Sequence, residues 1–513
     1  MALLWPLISR SVPQGPSATL RHGTTTWITT SVRCLSGAKE IPGPKALPGV
    51  GILFSMISDK DFDKNKIHLY FKKLIKTYGP IVKLQIPGQL TMVLLSQPED
   101  IKTVHQFAEG NPMRGGLQAL KKARSLDEYY GGKGGIAAED GEEWWRVRTN
   151  VQGTVMKLDN IRHYLSDMDR TSLDLLDRIS KEKNEKGELT SDIKTLMAKW
   201  AIECVCLISL NRRLGCLDPE LPPDSEQMRC FRAAQSLMNS VFECEQTQLW
   251  KFYRTKSFRT MQESLKILTE VCDKTLRELK EGIEKQNTTD SDRSLCMIEQ
   301  LLLKPHLSHK DVVTFMIDLI PGGTETVMNS GMVLLYLLAK HPHIQAKVQA
   351  EVDSVIGSQL SPITARQLNQ LSYIRAVMKE SHRVLPPAVG INRILQDDVE
   401  LKGYVLRKGW NCLMLSSLAG WDEAQFARPQ EFIPERWLRH RPLGQIHPYA
   451  SLPFSHGIRM CIGRRIMEQE ACTLIARTLQ RYNLAWRGED LQRNHVIMFD
   501  TVGPYHFTFT ERN

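Results

Sequence analysis

The sequence predicts a mainly α fold with a minor β part, built as one large domain. From about residue 140 to 385, apolar residues recur at three- and four-residue spacing, as on one face of a helix. These stretches are Leu165 to Ile179, Leu189 to Leu210, Phe258 to Ile283, Val312 to Leu338 and Ile344 to Ile356. Short β-like runs lie at Ile81 to Leu84 and Thr91 to Leu95. No internal repeat divides the chain, and the polar stretch 284–293 is predicted to be a loop within this domain.

The first 39 residues differ in composition from the rest of the chain. They contain four basic residues, many Ser and Thr residues, and no Asp or Glu. The apolar start from Met1 to Ile8 is far shorter than the ~20 residues that span a bilayer. Positive charge follows this start, whereas a secretory signal places it before. We therefore expect residues 1–39 to be a mitochondrial transit peptide and residues 40–513 to form the mature domain.

Charge and cysteine content argue against two classes of protein. Lys and Arg total 67 against 57 acidic residues, and the excess is dispersed without basic blocks interleaved with aromatics. Nucleic acid is therefore not an expected partner, whereas an anionic membrane surface or an acidic protein is. The 11 cysteines are odd in number and irregularly spaced, which argues against a secreted disulfide scaffold. A reducing or mitochondrial-matrix setting fits better.

One cysteine, Cys461, lies in the run Phe-Ser-His-Gly-Ile-Arg-Met-Cys-Ile-Gly at 454–463. Structural zinc needs four ligands and no Cys-x-x-Cys lies nearby, but a lone cysteine can offer one thiolate to one iron. Gly457 and Gly463 would let the backbone pass close to a flat macrocycle. Arg459 could pair with an acidic group on that macrocycle. The run therefore predicts a haem held by the Cys461 thiolate.

The same run resembles the haem-binding motif of the cytochrome P450 family, Phe-x-x-Gly-x-Arg-x-Cys-x-Gly, at all five defined positions, beginning at Phe454. The resemblance extends over about residues 40–513, and Ile41-Pro42-Gly43-Pro44 resembles the proline-rich hinge that opens the P450 catalytic domain. It implies the P450 fold in a single catalytic domain, haem b with an axial thiolate from Cys461, and O2 as co-substrate of a monooxygenase. Phe454, Arg459 and Gly463 would then contact the haem.

A long helix is predicted to begin at Ser308, with Asp311 as its capping-box partner. Pro321, Gly322 and Gly323 then interrupt the helical pattern. Proline and glycine in a helix interior normally cost several kcal/mol, and such departures are often functional. We therefore predict an opened helix turn at this point, exposing a groove for dioxygen and water.

The segment that follows resembles the oxygen-activation motif of cytochromes P450 at Gly322, Gly323, Glu325 and Thr326. The resemblance implies that Glu325 and Thr326 supply the acid and the hydroxyl that relay protons to dioxygen. Val327 stands where the family usually has a second Thr, although the relay is assigned to the first. The ordinary alternative is a solvated Glu on a helix face.

Glu380 and Arg383 lie three residues apart on a predicted helix, close enough to pair. The spacing is common by chance, but here Pro386-Pro387 and the segment Pro-Glu-Arg-Trp at 434–437 follow it. In this order the residues resemble the P450 Glu-x-x-Arg pair and the Pro-Glu-Arg segment. The resemblance implies that Arg436 completes a buried structural triad with Glu380 and Arg383.

Trp144 and Arg148 form a Trp-x-x-x-Arg pair on a helix predicted to begin near Gly141. A guanidinium suits a haem propionate, and an indole N–H can donate to the same group. By the resemblance, Arg393 is a further propionate contact and His456 another. At each position, a surface arginine or a capping histidine is the ordinary alternative.

No flavin or nicotinamide domain is apparent, so electrons are expected from another protein. Arg375 and Lys379 lie four residues apart on the helix of Glu380, and Arg464 and Arg465 follow Cys461 closely. The chain resembles mitochondrial P450s, whose basic residues here bind an acidic [2Fe-2S] ferredoxin of the adrenodoxin type. That ferredoxin receives electrons from an NADPH-dependent reductase. A solvated basic helix face is the alternative.

The mitochondrial class also implies the matrix side of the inner membrane and peripheral contact with that membrane. The stretch 249–256, Leu-Trp-Lys-Phe-Tyr-Arg-Thr-Lys, mixes aromatics with cations. This composition suits a loop at a membrane interface, or equally the start of an ordinary packed helix.

Mitochondrial P450s mostly hydroxylate sterols, steroids and secosteroids, so a lipophilic polycyclic substrate is expected. Short strings resemble arthropod ecdysteroid-pathway hydroxylases, which would imply steroid C-22 hydroxylation. They are Trp144-Trp145-Arg146, Val389-Gly390-Ile391, Leu395-Gln396-x-Asp398, His447-Pro448 and Leu452-Pro453-Phe454. Two alternatives stay open: a P450-fold isomerase or dehydratase that needs no external electrons, and a non-catalytic haem-binding carrier or sensor.

Overall fold

Helices make up most of the structure, and the predicted mainly α fold class is confirmed. The computed structural model describes residues 39–87, 89–110, 112–286, 295–495 and 497–512. From Glu40 onward these residues form one compact unit. Their α-helices are α1 (Leu53–Ile57), α2 (Ile67–Tyr78), α3 (Pro98–Phe107), α4 (Gln118–Ser125), α5 (Gly135–Ala138), α6 (Gly141–Val155), α7 (Leu158–Arg162), α8 (Leu165–Glu182), α9 (Ile193–Ser209), α10 (Glu226–Thr247), α11 (Lys256–Gln286), α12 (Met297–Leu302), α13 (His309–Lys340), α14 (Pro342–Val355), α15 (Ala365–Gln370), α16 (Ser372–Val384), α17 (Ser416–Gly420) and α18 (Arg464–Arg481). The expected transit peptide lies outside the described residues, apart from Lys39.

The minor β part consists of small sheets. Its strands are β1 (Ile81–Leu84), β2 (Met92–Leu95), β3 (Ile391–Ile394), β4 (Val399–Leu401), β5 (Tyr404–Leu406), β6 (Asn411–Met414), β7 (Tyr482–Trp486), β8 (Gln492–His495), β9 (Phe499–Val502) and β10 (Phe507–Glu511). One sheet has the order β1-β2-β6-β3, with β2 and β6 parallel and the other neighbours antiparallel. The pairs β4-β5, β7-β10 and β8-β9 are separate antiparallel ribbons.

The five helices predicted from periodicity are all present, as α8, α9, α11, α13 and α14. Helix α9 begins four residues later than predicted because Asp192 caps it, accepting hydrogen bonds from the N–H groups of Lys194 and Thr195. Helix α11 continues through Gln286, so the predicted loop begins later, and 287–293 lie outside the described residues. Helix α10 has no counterpart in the sequence prediction.

Helix α13 is the centre of the fold, with buried residues along nearly its whole length. It packs against α9, α10, α11 and α18. Its predicted start is confirmed, because Ser308 and Asp311 form a reciprocal capping box. None of the described helices is both long and apolar enough to cross a membrane.

The prediction of an opened turn in α13 is wrong, because the helix is continuous and contains Pro321. The hydroxyl groups of Thr324 and Thr326 donate to carbonyls one turn earlier, at 2.6 and 2.8 Å, which adds hydrogen bonds beside the proline. Gly323 has a packing role, since a Cβ there would lie 2.8 Å from Cγ2 of Val205 on α9. Tertiary packing thus holds a sequence that local propensity alone would interrupt.

Candidate active site

Cys461 lies in the loop that precedes α18. Its N–H donates to the carbonyl of Phe454 at 2.8 Å, which closes this loop on itself. Burial raises the pKa of the Cys461 thiol, whereas hydrogen bonds from the N–H groups of Gly463 and Arg464 lower it. Because α18 starts at Arg464, the sulfur lies beside a helix N-terminus, an environment that favours a thiolate.

The side chain of Cys461 opens onto an internal cavity of about 360 Å³. Predominantly apolar side chains from α9, α13, α18 and the Cys461 loop line it, and Phe454 is among them. Helix α13 contributes Gly322, Gly323 and Thr326. The structure therefore brings Cys461 and Thr326, predicted from two separate motifs, to the same cavity.

Four guanidinium groups gather at this cavity and a small cavity that adjoins it: Arg114, Arg148 and Arg459 line the first, and Arg393 lines the second. Burial lowers the pKa of every one, to about 10 for Arg148 and Arg459 and about 9 for Arg393. Mutual repulsion contributes, while Asp140 is the carboxylate that opposes it. Desolvated cations in such excess call for an anionic partner. A haem, with two propionates on an apolar macrocycle, fits both the cations and the apolar walls.

Arg459 is held by protein groups as well as facing the cavity. It donates to the carboxylate of Asp140 and to the carbonyl of Pro112, the latter at 2.7 Å. Its guanidinium lies over the ring of Trp144, 4.4 Å from the centroid, and its buried Nε has no hydrogen-bond partner among the described residues. That unpaired donor is a second sign that a polar group of a ligand belongs here.

The other expected haem contacts lie in three different settings. Trp144 and Arg148 line the Cys461 cavity from α6, and Arg148 donates to the carbonyl of Met460 at 2.9 Å. Arg393 lies on β3 and lines a small adjoining cavity with His456, which is exposed and packs on Tyr449. Two glycines of the Cys461 loop are the third setting. A Cβ on Gly463 would lie 3.9 Å from Sγ of Cys461, and Gly457 has a φ of +72°, which favours glycine.

Glu380, Arg383 and Arg436 form the expected buried cluster. Oε1 of Glu380 accepts from Arg383 at 2.7 Å, from Nε of Arg436 at 2.9 Å and from the N–H of Ile433 at 3.0 Å. Oε2 accepts from Arg383 at 2.9 Å and from the indole of Trp437 at 2.7 Å. The carboxylate is fully enclosed and its lone pairs are used, so this cluster is a structural support with no free group for chemistry.

The side chains of Glu325 and Thr326 form hydrogen bonds with different partners. Thr326 donates to the carbonyl of Gly322, whereas Oε1 of Glu325 accepts from Asn329 at 2.9 Å. Burial and the nearby Asp500 raise the pKa of Glu325. The carboxyl faces a second cavity that shares Thr326 with the Cys461 cavity. An acid and a hydroxyl are thus present at adjoining cavities, without a direct bond between them.

The four basic side chains expected to bind the redox partner differ in how far hydrogen bonds and ion pairs within the protein constrain them. Arg375 donates to two carbonyls at the end of α15, and Arg465 donates to the carbonyl that ends α6. Arg464 pairs with Glu468 at 2.8 Å. Lys379 is exposed and has no ion pair within the described part of the chain, and partial desolvation, followed by the nearby Arg464 and Arg375, lowers its pKa. These residues form one basic surface patch, with Lys379 as its least constrained member.

Sequence reasoning missed several polar residues of the site: Arg114, His382 and Glu470 line the cavity, and Asp140 contacts Arg114 and Arg459 beside it. Arg114 donates to the carbonyl of Arg459 at 3.0 Å, and Asp140 accepts from the N–H of Arg114 at 2.9 Å. His382 and Glu470 are buried, line the cavity and have ring or carboxyl atoms without described partners. No motif marks these residues, although a buried His or Glu between apolar helix positions is itself a signal.

A cysteine at a helix start, an apolar cavity over it and an excess of buried guanidinium groups define a haem-thiolate protein. Residues 41–499 match the family model described as Cytochrome P450, and the chain belongs to that family. As a member it is a monooxygenase with haem b and O2 as co-substrate.

Three relatives show the range of similarity. Cytochrome P450 302a1, mitochondrial, from Drosophila melanogaster is 30% identical over 457 residues, covering 88% of this chain and 90% of the relative. Cytochrome P450 12b1, mitochondrial, from Drosophila acanthoptera is 26% identical, covering 91% and 88%. Cytochrome P450 27C1 from Danio rerio is 28% identical, covering 87% and 81%.

Proposed function

We propose that this protein is a mitochondrial P450 that hydroxylates a lipophilic, sterol- or steroid-like substrate with electrons from a ferredoxin. The proposal rests first on the Cys461 cavity, whose largely apolar walls suit a lipophilic ligand. The word mitochondrial in the names of the two Drosophila relatives supports the compartment. Within this class, steroid C-22 hydroxylation of the ecdysteroid type is the specific substrate hypothesis.

In this proposal Cys461 would ligate the haem iron, and Arg148, Arg393, Arg459 and Trp144 would hold the propionates, with His456 as a further contact. Phe454 and Gly463, which line the same cavity as Cys461, would contact the macrocycle. Bound there, the haem supplies an electron-rich iron centre for dioxygen chemistry. Burial and, after it, mutual repulsion lower the pKa values of Arg393 and Arg459, and two carboxylates beside these groups would oppose both effects.

Glu325 and Thr326 handle protons in this proposal. The raised pKa of Glu325 keeps a larger protonated fraction near neutral pH than an exposed Glu has. The carboxyl can release its proton into the cavity it shares with Thr326 and take one back from water. The Thr326 hydroxyl, bonded to a carbonyl one turn back, holds a fixed position on the cavity wall.

For the electron donor we infer an adrenodoxin-like [2Fe-2S] ferredoxin, reduced by an NADPH-dependent reductase. The basic patch of Arg375, Lys379, Arg464 and Arg465 complements an acidic protein. Together with the transit peptide expected at 1–39, this donor supports the matrix side of the inner membrane as the proposed location. Exposed apolar side chains at 249–253, among them Phe252 at 85% exposure, support peripheral membrane contact there.

Lys379→Glu tests the donor, with Lys186→Glu on an exposed loop as the matched charge control. In a system of ferredoxin, reductase and NADPH, Lys379→Glu should raise the KM for ferredoxin about fivefold at low salt, because like charges now meet. The ferrous–CO spectrum should not change. Equal behaviour of the two variants would refute docking at this patch, and substrate turnover without ferredoxin or NADPH would favour an isomerase.

A further inference from the structure

Asn329 lies one helical turn beyond Glu325 on α13 and is buried. Its Nδ2 donates to Oε1 of Glu325 at 2.9 Å and to the main-chain carbonyl of Glu325 at 3.1 Å. Its Oδ1 accepts from the N–H of Thr501 on β9 at 2.9 Å and from the Thr501 hydroxyl at 3.1 Å. The amide therefore joins the carboxyl of Glu325 to a strand 172 residues away.

The orientation of this amide follows from its partners. A backbone N–H can only donate, so the atom facing Thr501 must be the amide oxygen. The amide nitrogen must then face Glu325, where it can only donate. Oε1 of Glu325 is consequently fixed as an acceptor, and within the described residues Oε2 accepts no hydrogen bond.

The charged groups around Glu325 come from three other elements. Asp500 on β9 and Lys194 on α9 act on the carboxyl in opposite directions, and Glu243 on α10 lines the same cavity. Lys194 donates to Asp500 at 2.6 Å and to the carbonyl of Thr501 at 2.8 Å. This cavity, of about 230 Å³, shares Thr326, Pro387 and Met498 with the Cys461 cavity.

We propose that Asn329 is a positioning residue for proton transfer, which fixes Oε1 of Glu325 as acceptor so that Oε2 carries the transferable proton. The proposal rests on the relay role of Glu325 and Thr326 proposed above. In the transfer the O–H bond at Oε2 breaks, and its proton passes to a water in the shared cavity or to the Thr326 hydroxyl, which releases its own proton to a water there in exchange. The resulting carboxylate takes up a proton delivered from the solvent through the second cavity, which restores the acid.

Asn329→Asp and Asn329→Leu test this role in the haem-loaded protein. Asn329→Asp keeps an acceptor for Thr501 but removes the donor to Glu325, and Asn329→Leu adds no titratable group. Both should raise the pKa of Glu325 by about one unit or more, because a hydrogen bond that favours the carboxylate is lost. Infrared titration of the carboxyl band that Glu325→Gln abolishes measures this shift.

During turnover both variants should release several-fold more peroxide per NADPH, because the proton is no longer held at one oxygen. Tyr505→Phe is the matched control, since it removes a 2.9 Å bond to the carbonyl of Thr501 without touching Asn329. It should change neither readout. The ferrous–CO spectrum and thermal midpoint, measured on each variant, identify folded protein.

The outcomes distinguish the positioning role of Asn329 from the proton-relay role of Glu325 and Thr326 on which it rests. A shifted titration and more peroxide in both Asn329 variants, with Tyr505→Phe unchanged, would support the positioning role. If Glu325→Gln releases more peroxide but the Asn329 variants leave both readouts unchanged, the positioning role is refuted and the relay stands. If Glu325→Gln itself leaves peroxide release unchanged, the relay and the positioning role both fall.

Discussion

Glu380→Gln should destabilise the fold by about 3–5 kcal/mol, the range for removing one partner of a buried ion pair. Glu380 accepts five hydrogen bonds, from Arg383, Arg436, Trp437 and the N–H of Ile433. Glutamine is nearly isosteric, but its amide nitrogen would face N–H donors in place of an oxygen. Two buried guanidinium groups would also lose their shared counter-charge.

Urea unfolding, or the half-life at elevated temperature if unfolding is irreversible, measures this loss. Glu431→Gln is the matched control, because Glu431 pairs with Arg428 at the same three-residue spacing but on the surface. It should have no measurable effect, as is usual for exposed pairs. If Glu380→Gln were as stable as Glu431→Gln, the cluster would not support the fold. Glu380→Gln should also retain less haem, in line with its lower stability, whereas Glu431→Gln should retain as much haem as the wild type.

Two further predictions concern stability. Gly323→Ala should destabilise the protein by about 1–3 kcal/mol, because the new Cβ would lie 2.8 Å from Val205. Gly322→Ala has open space around its Cβ and should stabilise the protein by up to about 1 kcal/mol through helix propensity. Equal midpoints of thermal unfolding for the two variants would contradict this packing. Burial raises the pKa of Glu470 to about 8 from its ordinary 4.5, so between these pH values the unfolded chain has released a proton that the folded protein keeps, and stability falls as pH rises. When the free energy of unfolding is measured from pH 5 to 8, Glu470→Gln should show a decrease that is smaller than that of the wild type by roughly 4 kcal/mol. If the free energies of variant and wild type run parallel with pH, Glu470 ionises normally.

Motifs contained in a short stretch of chain were predictable. The Cys461 run and the Glu380–Arg383 pair each place their key groups within ten residues, so residue type and spacing are sufficient. Long amphipathic helices such as α8 and α11 were equally visible, because one face is apolar along the whole length. Helix α10 was missed, since its buried face includes Cys and Ala residues that dilute the apolar pattern.

Groups assembled across the chain were not predictable. Arg114 meets Arg459 over a separation of 345 residues, and Asn329 meets Thr501 over 172, so no local spacing connects them. The prediction of an opened helix turn at Pro321 was wrong for a different reason. Local propensity predicts an interruption there, but packing against Val205 and the hydroxyl hydrogen bonds favour a continuous helix.

The central claim is that Cys461 is the thiolate ligand of a haem, and the ferrous–CO absorption spectrum tests it most directly. Wild type should absorb at the position characteristic of thiolate ligation, and Cys461→Ser should lose that band together with substrate oxygenation. Cys244→Ser, at a buried cysteine on α10, should keep both. A thiolate-type spectrum in folded Cys461→Ser would contradict the assignment.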